Sequence, residues 1–309
     1  MPRPLRNTEP KKLHLLSCRT RSSELLLVPS PELNSIVGGV IAKYSQLYSI
    51  NLYAVCVLSN HYHLLLSTNV EGGIALFAEN INREIGKRVN RLLNREGSLW
   101  SRRYDDLLVL EEQDALEALI YTITNPTKHG LVANPNSWPG ITSYGQDSKT
   151  YTFFNYTEYS AARSKSLLTG EVIRRSDYEK EYELKIDKLP MFSNLSNVET
   201  KKLILKEAEK RVRKLNEEKW AKQDRFLGRK AILNQRSKGA FPKKTNKTKR
   251  PVCYTRCKRA LTEFIEETRL IREKYSLASI KYRLVIKDFD FPPYCYFPPM
   301  HHTPKFVPS

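Results

Sequence analysis

The chain has 309 residues, 40% of them hydrophobic, enough to bury one substantial core and a second, smaller one. No apolar run reaches the roughly 18 residues of a membrane span, and Met1-Pro2-Arg3-Pro4-Leu5-Arg6 lacks the apolar stretch of a secretion signal, so a cytoplasmic protein with no membrane partner is expected. The net charge of +19 is unevenly spread, with +2 in residues 1–150 and +17 in residues 151–309.

Clustered Lys and Arg are rewarded by counterion release from a polyanion, most simply a nucleic acid. An anionic membrane surface and a solvated basic face that binds nothing are the competing readings. Five cysteines, at positions 18, 56, 253, 257 and 295, are odd in number and scattered, unlike a disulfide framework.

In chain order, Lys12 to Thr20 reads as a strand, and Pro31 to Tyr48 as a helix with proline near its start. Asn51 to Leu58 and His61 to Thr68 form either one long bent strand or a strand pair. Gly73 to Leu93 carries Ile74, Phe77, Ile81, Ile85 and Val89 at near-helical spacing. Leu99 to Leu110 holds another strand. Asp114 to Asn125 reads as a helix with Leu116, Leu119, Ile120 and Ile123 on one face, stopped by Pro126. The order βαββαβα predicts an α+β layered structure with an antiparallel sheet rather than a Rossmann sheet. No glycine-rich phosphate loop occurs, which argues against a nucleotide cofactor.

Beyond Tyr151 the composition changes, giving a division into 1–150 and 151–309. Val198 to Trp220 and Arg256 to Tyr282 read as charged helices, so the extension is expected to be basic and mainly helical. Arg236 to Arg250 is a basic linker or arm, and Phe289 to Pro299 is too proline-rich for a helix. Cys253, Cys257, Cys295, His301 and His302 are a weak candidate zinc set, because the spacing departs from a Cys-x2-Cys knuckle.

The chemistry-bearing residues lie in two places. His61 and His63 sit two apart in an apolar strand, so both imidazoles project from one face and together suit one divalent ion. Tyr121 and Asn125 are four apart, so on one helix they share a face. A phenol beside a metal-bound phosphate can act as nucleophile, and an amide oxygen suits a hard ion such as Mg²⁺ or Mn²⁺. Asn125 equally serves as a helix-end cap, since it precedes Pro126. Arg102 and Arg103 are candidate phosphate contacts, of which only one faces the phosphate if both lie on a strand. Lys128 and His129 are candidate phosphate contacts or solvated loop residues.

Four ordered blocks carry a resemblance: NHYHLLL (Asn60 to Leu66), LWSRRY (Leu99 to Tyr104), YTITNPTKHGLV (Tyr121 to Val132), and Ser137-Trp138-Pro139 with Ser143-Tyr144. Over about the first 145 residues the chain resembles the HUH single-tyrosine transposases, in their REP-associated branch. The resemblance implies an HUH endonuclease fold of ferredoxin-like βαββαβ type, often dimeric. It also implies His61 and His63 as metal ligands with Asn125 as the third, Tyr121 as nucleophile, and a divalent ion as Lewis acid. The implied activity is nicking and rejoining of single-stranded or hairpin DNA through a 5′-phosphotyrosine. The segment Phe226 to Leu233 (FLGRKAIL) resembles one found in extensions of some relatives. A domesticated, non-catalytic DNA- or RNA-binding protein on the same fold, and a replication or mobilisation initiator, are the alternatives.

Overall fold

The computed structural model describes residues 9–235, 253–286 and 289–295. The first half contains β1 (Leu13–Arg19), α1 (Pro31–Leu47), β2 (Ile50–Leu58), β3 (His61–Thr68), α2 (Gly73–Leu92), β4 (Asp105–Val109) and α3 (Glu112–Ile123). The strands form one antiparallel sheet in the order β2-β3-β1-β4, the arrangement that the βαββαβ order predicts. Asn51 to Leu58 and His61 to Thr68 are therefore a strand pair, not one bent strand. Leu99 and Trp100 precede β4, which is confined to five residues of the stretch expected to hold it.

Period-two alternation assigns each strand residue to a face. Leu16, Cys18, Tyr62, Leu64 and Leu66 pack under α1 and α2, with Phe77, Ile81 and Val40 among the fully buried residues. Leu15 and Leu65 point the other way, against Ala115, Ala118, Leu119 and Ile123 of α3. A bulge between Leu52 and Ala54 shifts the register of β2, so that Leu52 and Val55, three apart, reach the same layer. The start of α1 is fixed by Ser30, whose hydroxyl accepts from Leu33 N at 3.0 Å, with Pro31 at the first helical position.

The chain continues through α4 (Asn125–Lys128), β5 (Ser148–Phe154), α5 (Tyr156–Thr169), β6 (Glu179–Lys185), α6 (Asn197–Ala221), α7 (Arg229–Leu233) and α8 (Lys258–Arg283). Strands β5 and β6 pair as a second antiparallel sheet that covers α1, and Tyr151, Phe153 and Leu184 complete the α1/α2 core. That approach needs Gly39: a Cβ there would lie 2.8 Å from the Thr152 carbonyl oxygen. Helix α6 starts in a reciprocal cap, Ser196 Oγ accepting from Glu199 N at 3.2 Å and Glu199 Oε2 accepting from Ser196 N at 2.9 Å. Ala208 of α6 is buried against the α3 layer.

The FLGRKAIL segment has a structural role. Leu227 N donates to Gly130 O at 3.0 Å and Gly228 N to Leu131 O at 2.9 Å, and Ile232 is fully buried with Cys56, Leu58, Val132 and Trp138. Gly228 adopts φ +83°, ψ 153°, a conformation reserved in practice for glycine. Further on, Tyr254 pairs in parallel with Val109 at the β4 edge, its N–H donating to Leu108 O at 2.8 Å. No described helix is long and apolar enough to cross a membrane.

Candidate active site

His61 and His63 project from the sheet face that α3 covers, level with Arg19 and Ser17 on β1 and with Leu58 and Cys56 on β2. Their ring centroids are 5.0 Å apart with planes at 88°, and both residues are buried. His61 Nδ1 lies 2.6 Å from Asn60 Oδ1. The Asn60 amide is itself oriented, because its Nδ2 donates to the Ser23 carbonyl at 3.1 Å. An amide oxygen only accepts, so His61 carries its proton on Nδ1 and offers the lone pair of Nε2.

His129 joins this pair. Its ring centroid is 5.3 Å from that of His61, so a third imidazole reaches the cluster from the exposed turn that follows α4. Burial, then the neighbouring His63 and His129, holds His61 well below the usual imidazole range. Burial, then His129 and Lys128, pushes His63 down to about 3, and burial with Lys128 pushes His129 to about 4. All three rings are neutral at pH 7, the form that binds a metal.

Tyr121 faces these rings from α3, its centroid 5.4 Å from that of His63. Lys128 Nζ stands 4.2 Å from the centre of the phenol ring and the Arg211 guanidinium carbon 5.8 Å from it. Tyr254 closes another side at 6.4 Å. One turn before Tyr121, Glu117 is bound by both Arg211 and Arg256. The paired residues of the C-terminal extension thus grip the helix that carries the phenol. Burial, then Glu117, raises the Tyr254 phenol to about 12, which keeps it protonated beside Tyr121.

The single helix expected over Asp114 to Asn125 is two. Helix α3 ends at Ile123, and Asn125 opens the short α4 with Pro126 behind it. Proline has no N–H to give the preceding turn and its ring crowds that turn, so the helix breaks there. Asn125 does not cap α3: it is fully buried, and neither Oδ1 nor Nδ2 has a hydrogen-bond partner among the described residues. The His63 Nδ1 is similarly buried and unpartnered. Leaving such atoms unpaired costs about 1–3 kcal/mol each, a cost that a bound ligand would relieve. Two imidazoles and an amide oxygen suit a divalent ion, so the residues present fit the metal expected from sequence.

Arg102 and Arg103 lie in the turn before β4, not on a strand, so strand alternation does not separate them. Arg102 is held by Asp105 at 2.6 Å, and the Arg103 guanidinium lies 5.9 Å from the Tyr104 ring centre; neither joins the ring cluster. Among the described residues no three His, Cys, Asp or Glu side chains converge as ligands of one ion. Cys253, Cys257 and Cys295 are free thiols, while His301 and His302, like Arg236 to Arg250, lie outside the described residues. Sequence reading missed Arg211, Glu117 and Tyr254. Only Glu117, four residues before Tyr121, carries a positional signal.

Residues 12–117 match the family model described as "Transposase IS200 like", a stretch that holds His61 and His63 and ends before Tyr121. The resemblance to the REP-associated tyrosine transposases is borne out as a similarity by this match and by a curated relative. A Haemophilus influenzae protein described as a REP-associated tyrosine transposase is 31% identical over 112 residues, 33% of this chain and 63% of that protein. The chain thus spans less than two thirds of that relative. The structure of a REP-associated tyrosine transposase bound to a REP hairpin aligns with 48% of this chain and 85% of its own, at 19% identity and a TM-score of 0.40. A transposase structure from Deinococcus radiodurans aligns with 37% of this chain and 91% of its own, at 21% identity and a TM-score of 0.29.

Proposed function

We propose that the protein nicks and rejoins single-stranded DNA, with Tyr121 as nucleophile and a divalent ion held by His61, His63 and Asn125. The observation that carries this reading is the Tyr121 phenol facing the His63 imidazole across 5.4 Å, a nucleophile beside a buried pair of neutral metal ligands. When bound, Mg²⁺ or Mn²⁺ supplies Lewis acidity at the scissile phosphate.

The remaining chemistry belongs to the chain. Tyr121 Oη attacks phosphorus as its proton leaves to solvent; the new O–P bond retains the 5′-phosphate on the enzyme. The bond to the 3′ oxygen breaks, and that oxygen takes up a proton to become a free 3′-hydroxyl. Attack by another 3′-hydroxyl reverses the step and joins strands, with no nucleotide consumed. Lys128 and Arg211 supply positive charge beside the phenol, where the phosphate charge develops. His129, placed at His61, steadies the ligand pair instead of reading DNA, and Arg102 and Arg103 are candidate strand contacts further along.

In this reading residues 1–150 carry the catalytic unit, and the basic residues 151–309 hold nucleic acid. The partners are single-stranded or hairpin DNA and a second copy of the chain, in the cytoplasm. The test is a covalent-adduct assay on labelled single-stranded and hairpin DNA with Mn²⁺ or EDTA. A denaturation-resistant adduct that needs Mn²⁺ and disappears in Tyr121→Phe is expected. An adduct that survives in Tyr121→Phe overturns the assignment of the nucleophile.

A further inference from the structure

The far side of the molecule carries a second concentration of charge. Helices α1 and α2 cover the sheet face opposite to His61, His63 and Tyr121, and where β5 and α5 meet them they leave a cleft of about 250 Å³. Its lining includes Lys43 of α1, Lys87, Arg88 and Arg91 of α2 and the ring of Phe153, with Glu84 of α2 as the one carboxylate among them.

Three of the four cations, Lys43, Arg88 and Arg91, are held against aromatic rings. Lys43 Nζ and the Arg88 guanidinium carbon each lie 4.0 Å from the Phe153 ring centre. Arg91 lies 4.1 Å and Arg88 5.1 Å from that of Tyr156. Arg88 is buried, donating to the Phe154 carbonyl at 2.9 Å and to Glu84 at 3.3 Å. Glu84 and Glu158 are the carboxylates whose fields reach the cluster, and Glu84 is already shared with Arg83 and Arg88. Among the described residues no carboxylate pairs directly with Lys43, Lys87 or Arg91.

We propose that this cleft is a phosphate-binding subsite for a nucleic-acid backbone, on the face opposite to the candidate active site. Four like charges converge around a concave surface, guanidinium groups present several N–H donors suited to phosphate oxygens, and the first turn of α5 opens at the rim with its N-terminal dipole. A phosphodiester offsets the mutual repulsion that the fold otherwise sustains. Burial and the neighbouring Arg88 lower the Lys43 pKa, an independent sign of that crowding. The cleft is small beside the roughly 300–1,000 Å³ of ordinary ligand pockets, which matches one phosphate with part of its ester rather than a whole cofactor.

The subsite rests on geometry alone and stands whether or not Tyr121 forms an adduct. Its test uses the full chain and the double variant Lys87→Gln with Arg91→Gln, both positions being exposed on α2, with equal thermal unfolding as the check of fold. Affinity for a single-stranded oligonucleotide and for a DNA hairpin is measured by anisotropy across a salt series, and inorganic phosphate is titrated in parallel. The expected result is several-fold weaker DNA binding in the variant, with the salt slope reduced by roughly 1–2, since each neutralised phosphate contributes about 0.7–0.9. Arg91→Lys with Lys87 intact should retain most of the slope. Unchanged DNA affinity and slope overturn the proposal. Loss of inorganic-phosphate binding with DNA binding unchanged overturns the nucleic-acid source and assigns a free anion. Adduct formation at saturating DNA, measured on the same variant, separates this result from any failure of the Tyr121 chemistry.

Discussion

Glu117 and Arg211 tie the catalytic helix to the C-terminal extension. The carboxylate sits one turn before Tyr121 on α3, the guanidinium comes from α6, and both side chains are largely buried at 20% and 24% exposure. The contact leaves Arg211 Nε buried without a partner, beside the phenol ring it overlooks. Arg211→Ala should therefore slow adduct formation by about tenfold or more at saturating DNA, with Arg211→Lys recovering part of the rate. Glu117→Gln should cost about 1–3 kcal/mol of stability by leaving the arginines poorly paired, which urea unfolding measures.

Asn60 should govern metal affinity without touching the ion. It fixes the proton of His61 on Nδ1 through a 2.6 Å hydrogen bond, and the Ser23 carbonyl fixes Asn60 in turn. Asn60→Ala is expected to weaken Mn²⁺ binding by about 10–100-fold while the protein stays folded, as read by calorimetric titration. Unaltered affinity would show that the tautomer is set elsewhere.

Stability of the metal-free protein should fall as the solution is acidified. Histidine titrates near 6.5 in the unfolded chain, whereas burial lowers His63 to about 3 and His129 to about 4 in the fold. Between about pH 6.5 and 4 the unfolded chain thus binds more protons, so stability rises with pH across that window. Thermal unfolding in EDTA should show a Tm that drops as pH is lowered from 7 to 5, and His129→Gln should flatten the drop.

Ile232→Ala should loosen α7 from the core. The side chain is fully buried among Cys56, Leu58, Val132 and Trp138, so truncation is expected to cost about 2–5 kcal/mol. Chemical denaturation gives the loss, and limited proteolysis should cut first in the residues around it.

The legible parts of the molecule were those with local signatures. The βαββαβ order follows from hydrophobic periodicity, and the His-x-His pair from a polar interruption of an apolar strand. Both are set by neighbours within a few residues. The break between Ile123 and Asn125 is hidden in the sequence because Pro126 signals the end of a helix, whereas its fixed φ also suits the start of the next turn. The pairing of β5 with β6, across the intervening α5, has no clear pattern, since one face of the two strands is solvated and rich in charge. Arg211 and Tyr254 were invisible for another reason. They stand 90 and 133 positions after Tyr121 in the sequence, and only tertiary packing brings them to it.

Residue 150 lies within β5, and the strand's Tyr151 and Phe153 fill the same core as α1 and α2. A fragment cut at that point would sever a strand midway and present the outer faces of α1, Val132 and Trp138 to water. Such a fragment is an unsuitable control for nucleic-acid affinity, because diminished binding would report a damaged fold as readily as missing charge. Point substitutions that neutralise surface lysines and arginines one at a time are the informative dissection. The extension behaves as masonry rather than as an appendage, so a change in its length or anchoring would reach the tyrosine through the walls that surround it.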